Sequence, residues 1–523
     1  MKNLRTLWML AVLLFSVLIN AQETEARQAV NDLYAALGTL PSADDTVYVF
    51  IDDGPDARKY LPAPPDTSSM EFMDDLLQFQ WGKAQRNTPR GAQASRESLW
   101  TVEMMRVLMA EALSIDTISD TETPALARLL AKSFYTGKQS THSAKANGWR
   151  TRPFVQMNDA IWAQYDDDNL RNNSSYPSGH SALGWYTALS FAEMWPELQD
   201  TILRRGFQFG ENRVIAGAHY QSDVIAGYLC AAAAFARSHI NPELQKDIAA
   251  ARAEYAKMKG LPEDYDPVTP ADVPHGESIL NNPVDTASYR YISDMMKHWA
   301  AKPLRNTERG KQAAREADYS LAMILEVYSD ALGIELTETG APAITALLTA
   351  TLEKCSETAD RLKVIRFRKR PFVQLGEPSF VPGDEEKERG KSSFPSGHTN
   401  LGWTTALVMS QVIPEHPEEI LYRGYQYGYN RLIVGYHWAS DIEATRLLST
   451  GLFARLNADP AFQVLVANAR AEYLKITGQD TSVGAPAAVA PSVTRAYRLD
   501  GTPATSRTHG IVIQNGQKII RRE

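Results

Sequence analysis

The sequence of 523 residues has few cysteines, no excess of positive charge and no long apolar run beyond the N-terminus. It has only two cysteines, Cys230 and Cys355, so we expect buried free thiols and no disulfide framework. The formal net charge is −8, which gives no general attraction to nucleic acid or an anionic membrane. Beyond the N-terminus the longest apolar run, residues 224–236, is too short to cross a bilayer and predicts a buried helix. We expect no integral membrane segment and no nucleic-acid partner.

The N-terminal residues have the pattern of a secretory signal peptide. Lys2 and Arg5 precede an apolar run over residues 7–19, and Asn20-Ala21-Gln22 follows. The run is too short for a spanning helix, and Ala21 is an acceptable residue before a cleavage site. We predict a signal peptide over residues 1–21 and export to the periplasm, the outer-membrane surface or the medium.

Residues that can carry chemistry occur twice along the chain at one constant spacing, 218 residues (398 − 180 = 218). The pairs are Lys145 and Lys363, Arg152 and Arg370, His180 and His398, Arg213 and Arg431, His219 and His437, and Asp223 and Asp441. Three separated motifs in one register indicate the duplication of a whole domain. The predicted organisation is a first domain at 22–260, a linker at 261–278, a second domain at 279–478, a linker at 479–495 and a tail at 496–523.

Hydrophobic periodicity within each repeat is that of helices. Residues 97–112 and 316–331 carry apolar side chains at spacings of three and four. Apart from a β-prone run at 46–51, strand patterns are scarce before the tail. We predict an all-α fold of two tandem helical bundles, packed on each other, with a short β-like tail. Apolar residues flank Asn515-Gly516 in that tail, which also resembles the C-terminal signal of type IX secretion cargo and implies that machinery as a partner.

The repeated residues suit phosphoryl transfer. Arginine and lysine bind phosphate oxygens, and a Pro-Ser-Gly turn opening a helix presents backbone N–H groups to an anion. A histidine four residues before an aspartate can have its Nδ1–H held by the carboxylate, which leaves Nε2 free to attack. Each motif alone is weak evidence. Their joint recurrence favours a site, and the motifs contain no carboxylate-rich cluster that would predict a metal.

The three motifs are those of a known superfamily. Lys-x6-Arg-Pro, Pro-Ser-Gly-His and Arg-x5-His-x3-Asp resemble the signatures of the type 2 phosphatidic acid phosphatase and vanadium haloperoxidase superfamily. Residues 60–260 and 280–478 are most similar to the class A bacterial non-specific acid phosphatases. One departure occurs in both halves, because Asn212 and Asn430 precede the third-motif arginine where the family usually has serine.

The resemblance implies a role for each motif residue. It implies phosphohistidine nucleophiles at His219 and His437, held by Asp223 and Asp441, and general acids at His180 and His398. It implies phosphate binding by ten residues: Lys145, Arg152, Ser178, Gly179 and Arg213 in the first repeat, and Lys363, Arg370, Ser396, Gly397 and Arg431 in the second. It also implies an all-α fold and catalysis without a metal or other cofactor.

The sequence therefore predicts a secreted, metal-independent acid phosphatase that hydrolyses small phosphomonoesters. Three alternatives stay open at this point. The same motifs serve vanadium-dependent haloperoxidases, and related enzymes dephosphorylate lipids or lipopolysaccharide. The third alternative is a surface binding module in which one repeat is inactive.

Overall fold

The computed structural model describes residues 46–146, 149–163, 170–262, 265–268 and 273–479, and four short strands in the tail. The chain divides into two compact units, Met1–Tyr473 and Leu474–Glu523. Both repeats lie in the first unit. The predicted signal peptide lies outside the described residues, as does most of the linker at 479–495.

The regular secondary structure in the described part of the first repeat is helical. Its helices often begin at a Ser, Thr or Asn whose side chain accepts a backbone N–H, or with proline in the first turn, as at Thr88-Pro89. In chain order they are α1 Ala57–Tyr60, α2 Met70–Gln85, α3 Pro89–Arg96, α4 Val102–Leu113, α5 Pro124–Gln139, α6 His142–Lys145, α7 Pro153–Gln156, α8 Gly179–Met194, α9 Gln199–Ile215, α10 Gln221–Ser238 and α11 Pro242–Met258.

The second repeat follows the same order, except that one long helix, α16 (Pro342–Ile365), replaces α5 and α6, and a short helix, α18 (Glu385–Glu388), precedes the Pro-Ser-Gly turn. Its helices are α12 Gly276–Ile279, α13 Tyr289–Ala301, α14 Glu308–Arg315, α15 Leu321–Leu332, α16 Pro342–Ile365, α17 Pro371–Leu375, α18 Glu385–Glu388, α19 Gly397–Val412, α20 Pro417–Ile433, α21 Ala439–Asn457 and α22 Pro460–Ile476. The prediction of an all-α fold, twice, is confirmed. No helix in the described residues is both long and apolar enough to span a bilayer.

The core of each repeat is built around the helix that follows the Pro-Ser-Gly turn. Every residue of α8 is buried, and α8 packs on α5, α9 and α10. In the second repeat α19 packs on α16, α20 and α21 in the same way. A helix that is apolar all round needs neighbours on every side, and this position supplies them. The second and third motifs therefore meet where α8 and α19 begin.

Contacts between the repeats are reciprocal. Helix α8 of the first repeat packs on α21 of the second, and the equivalent pair, α10 and α19, also packs together. The helix α1 contacts α20, while its counterpart α12 contacts α9. The backbone N–H of Asp56 donates to Glu418 at 2.9 Å, and that of His275 donates to Asp200 at 2.9 Å. Since each contact is matched by its symmetric partner, the arrangement is that of a dimer with a pseudo-twofold axis.

Two local expectations differ from the structure. The periodic segments at 97–112 and 316–331 become helical only at Val102 and Leu321, because Thr101 and Ser320 cap the helices there. The run at 46–51 forms no strand, since the Tyr48 N–H donates to a side chain, that of Thr136. Both cysteines are buried and free, as predicted.

The second unit contains the tail strands Ala496–Arg498, Pro503–Ala504, Gly510–Gln514 and Gln517–Arg521. They form an antiparallel sheet in which the first strand lies between the second and the third. Gln514 pairs with Gln517 in the register of the last two strands. The sequence pattern predicted a β element here.

Candidate active sites

The Pro-Ser-Gly-His turn opens helix α8 in the first repeat and α19 in the second. Ser178 is the N-cap of α8, and its Oγ accepts from the N–H and hydroxyl of Ser181. Ser396 caps α19 in the same way. Both serine hydroxyls act as acceptors in these contacts, so their own protons remain available to an anion. The turn thus brings a hydroxyl, a glycine and the positive end of a long helix together.

The third-motif histidines are buried and held at both ring nitrogens. His219 Nδ1 lies 2.7 Å from the Ser175 carbonyl, and Nε2 lies 2.9 Å from Nη1 of Arg152. A carbonyl only accepts and a guanidinium only donates, so we assign the proton to Nδ1 and a lone pair to Nε2. His437 repeats this geometry, with Nδ1 2.6 Å from a carbonyl, that of Ser393. Burial and then the neighbouring Arg152 hold the pKa of His219 well below its usual value.

The aspartates act on these histidines less directly than the sequence suggested. Oδ2 of Asp223 is 3.7 Å from His219 Nδ1, and the corresponding distance for Asp441 is 3.9 Å. These distances suit a charge interaction but are too long for a hydrogen bond. The expectation that the carboxylate accepts the Nδ1–H is therefore wrong, because the serine carbonyl is the closer acceptor. Ser175 connects the two, since its Oγ donates to Asp223 at 2.5 Å.

A buried arginine behind each aspartate completes a network that sequence reasoning missed. Arg150 donates to Asp223 through Nη1 and to Asp75 through Nη2, the latter at 2.6 Å. In the second repeat Arg368 bridges Asp441 and Asp294, both at 2.6 Å. Burial raises the pKa of Asp75 to about 6 although Arg150 opposes the shift. The charge of each motif aspartate is thus neutralised by arginine.

The predicted phosphate-binding cations surround the same histidines. Arg370 Nη1 lies 3.0 Å from His437 Nε2, and Arg152 holds the equivalent place in the first repeat. Lys363 Nζ is 3.5 Å from the position that a Cβ on Gly397 would occupy. Nε and Nη1 of Arg431 are buried without a hydrogen-bond partner among the described residues. Burial, and then repulsion by Arg370, lowers the Arg431 pKa to about 10.

The second-motif histidines face this cluster of positive charge. His180 Nε2 lies 3.1 Å from the Ser98 carbonyl, and His398 Nε2 lies 2.9 Å from the Ala317 carbonyl. Each carbonyl fixes a proton on Nε2, so any second proton is carried by Nδ1. Burial lowers the pKa of His180 well below its usual value, and the positive charge of Arg213 lowers it further.

Comparison with known proteins agrees with this geometry. The model of the PAP2 superfamily matches the chain twice, at residues 126–245 and 342–461. A non-specific acid phosphatase of Providencia stuartii is 38% identical over 200 residues, 38% of this chain and 81% of the relative. The chain belongs to the PAP2 superfamily. A non-specific acid phosphatase of Salmonella typhimurium is 38% identical over 39% of this chain and 81% of its own, and an acid phosphatase of Zymomonas mobilis is 34% identical over 34% and 67%.

The PAP2 motifs are complete in both repeats, but their surroundings differ. In the first site Trp100 covers Gly179, where an added Cβ would lie 2.3 Å from the indole. In the second site the residue in that register is Tyr319, whose ring would lie 3.8 Å from a Cβ on Gly397. The second site also contains a carboxylate, because Glu388 Oε2 accepts from Arg370 Nη2 at 2.6 Å.

The departure from the usual PAP2 motif has a local explanation. Asn212 is buried and donates through Nδ2 to Glu97 at 2.9 Å, and Asn430 donates to Glu316 at 2.7 Å. The amide therefore fixes the loop that precedes α4 or α15. That loop carries the carbonyl that binds the second-motif histidine, so the asparagine supports the site from behind.

Arg150, Arg368, Ser175 and Ser393 belong to no motif that we used, yet they fix the third-motif pair. A signal for them was present in the sequence. Arg150 and Arg368 differ by 218, as do the two serines, so a residue-by-residue comparison of the repeats finds them. Glu388 gives no such signal, because the residue in its register is Leu170.

Proposed function

We propose that this phosphoric monoester hydrolase is an exported, metal-independent acid phosphatase that acts through a phosphohistidine in each repeat. The observation that carries the proposal is the environment of His437. Its Nε2 has a lone pair, and positive charge around it is provided by the buried Arg370 and Arg431 and the half-buried Lys363. Buried cations of this kind favour an anion, and a phosphoryl group is an anion that an imidazole nitrogen can attack.

In the first step, Nε2 of His219 or His437 attacks phosphorus. The P–N bond forms as the P–O bond to the leaving group breaks, and the leaving oxygen takes a proton from the second-motif histidine. The arginines and the lysine neutralise the phosphoryl oxygens, on which charge is concentrated in the transition state. In the second step, water attacks phosphorus, the P–N bond breaks, and the second-motif histidine takes the proton from water.

The protonation of His180 links this chemistry to acid conditions. The pKa of His180 in the free protein is low, so the ring is neutral at pH 7. A bound phosphate dianion raises the pKa of His180, which is opposite to the effect of Arg213, because a nearby negative charge stabilises the imidazolium. We infer that substrate and the second proton of His180 bind together, so that hydrolysis is favoured at acid pH.

The first test is replacement of the nucleophiles. Both halves hold a full set of motif residues, so His219→Ala and His437→Ala should each leave measurable hydrolysis of p-nitrophenyl phosphate. The double variant should have none, because no phosphohistidine can form. Rapid quenching in alkaline denaturant after mixing with a ³²P-labelled substrate, which preserves the acid-labile P–N bond, should give two labelled histidines in the unaltered chain. If the double variant retains turnover, the histidine mechanism is refuted.

We infer metal independence because the arginines and the lysine of the motifs can neutralise the phosphoryl oxygens in place of a metal ion. Hydrolysis should be unchanged after dialysis against EDTA. Loss of turnover that zinc or magnesium restores would contradict this part of the proposal.

Export rests on the N-terminal pattern and on the tail. We expect the exported protein to begin near Gln22, and deletion of residues 496–523 to stop passage across the outer membrane without lowering turnover. N-terminal sequencing and assays of cell fractions test the two parts separately. An exported chain that still begins with Met1 would refute the first, and unchanged delivery of the truncated chain would refute the second.

A further inference from the structure

The second site holds an internal anion. Glu388 lies at the end of helix α18, and its side chain is 20% exposed. Its Oε2 accepts from Nη2 of Arg370 at 2.6 Å, while Nη1 of the same guanidinium contacts the nucleophile His437. The carboxylate therefore occupies part of the guanidinium that a substrate phosphate needs.

The negative charge of Glu388 acts on the other cations of that site as well. It raises the pKa of Lys363 and of Arg431, against the larger effect of burial. Burial alone would raise the pKa of Glu388, but Lys391 and Arg370 lower it below its usual value. The side chain is therefore a carboxylate at neutral pH, and it partly neutralises the positive charge available to phosphate.

A lysine holds the other oxygen of this carboxylate and can retain it when Arg370 is released. Oε1 of Glu388 accepts from Lys391 Nζ at 2.8 Å, and half of the Lys391 side chain is exposed. The helix that carries Glu388 is joined to the segment before it, since the N–H of Ser379 donates to Oε1 of Glu385 at 2.6 Å. A rotation of the side chain toward Lys391 would free Arg370 without moving the helix.

We propose that Glu388 sets the phosphate affinity of the second site, because it competes with phosphate for Arg370 and must be displaced before substrate binds. The second site then fills at higher phosphomonoester concentrations, and releases inorganic phosphate more readily, than it would without this carboxylate. This inference rests on the proposed function of the second repeat.

The test compares Glu388→Gln with Glu386→Gln in the His219→Ala background, where only the second site turns over. Glu386 is on the same helix with 96% of its side chain exposed, which makes it a matched control. Loss of the competing charge should lower KM and the inhibition constant for inorganic phosphate by about tenfold, since a hydrogen bond to a charged group is strong. The control should change neither constant by more than about twofold.

An inhibition constant that is unchanged or raised in Glu388→Gln would overturn the inference, because a residue that contacts substrate favourably gives a rise. Calorimetric titration with inorganic phosphate, on the otherwise unaltered chain with and without Glu388→Gln, needs no turnover. One of the two phosphate-binding events should tighten. If it does while His219→Ala is inactive, the proposed function of the second repeat fails and the role of Glu388 stands. If neither event tightens, the role of Glu388 is refuted whatever the activity.

Discussion

Replacement of Arg150 by methionine separates structure from chemistry in the first site. The guanidinium is 8% exposed and neutralises two buried carboxylates, Asp75 and Asp223. Methionine can keep the apolar contact with the Tyr220 ring, over which the guanidinium lies at 4.2 Å, but it removes the charge. We expect folding to be weakened by the two unpaired carboxylates and the third-motif pair to lose its alignment.

The loss in free energy of unfolding caused by Arg150→Met depends on pH, because Asp75 titrates in the folded protein. The pKa of Asp75 is raised to about 6 with Arg150 present, so its contribution to stability is full at low pH and is lost as pH rises through 6. Without Arg150 the pKa rises further, and the loss continues to pH 7.5. The extra cost at pH 7.5 is then roughly 1.5 pKa units, or about 2 kcal/mol. The lost bond to Asp223 adds about 1.5–3 kcal/mol at either pH.

Urea unfolding followed by circular dichroism measures both quantities. Arg150→Met should reduce the free energy of unfolding by about 3.5–5 kcal/mol at pH 7.5 and by about 2 kcal/mol less at pH 5. Arg96→Met is the control, because that side chain is 68% exposed and should change stability by about 0.5 kcal/mol or less. An equal loss at both pH values would refute the assignment of the effect to Asp75.

Two further predictions concern the first site, assayed with the second nucleophile replaced. Burial lowers the pKa of Lys145 to about 7, so its positive charge, and with it kcat/KM, should fall as pH rises through that value. Lys145→Arg should move this alkaline limb upward by at least about one pH unit, since arginine keeps its charge; an unmoved limb would exclude Lys145 as its cause. Gly179→Ala places a methyl group 2.3 Å from Trp100 and should lower kcat/KM by about 100-fold. Gly397→Ala is assayed instead in the His219→Ala background; with its nearest contact 3.5 Å away at Lys363, it should lower kcat/KM of the second site less than about threefold, and equal losses in both sites would contradict the steric argument.

The helices were predictable because helix periodicity depends on residues that are near neighbours in the chain. The motif residues were predictable because each recurs at a constant spacing. Apolar spacing predicted helices, and the constant spacing of 218 identified two copies of one site. The acceptor of the His219 Nδ1–H was not predictable, because the choice between Asp223 and the Ser175 carbonyl depends on shifts of about 1 Å in the backbone. Glu388 was missed for another reason. Its approach to Arg370 depends on a loop whose path no periodic pattern specifies.

The reciprocal contacts between the repeats have a consequence for the residues close to the pseudo-twofold axis. In a dimer of identical chains, a residue beside the axis faces its own copy. Symmetry then duplicates every contact between two different residues, so such an ion pair cannot occur only once. Here the position held by Asp74 in one repeat is Ser293 in the other, and Gln78 corresponds to Lys297. The chain can therefore form one Asp74–Lys297 ion pair across the axis, at 2.5 Å, without a matching second pair. Because both partners are on one polypeptide, this pairing is intramolecular and does not weaken when the protein is diluted.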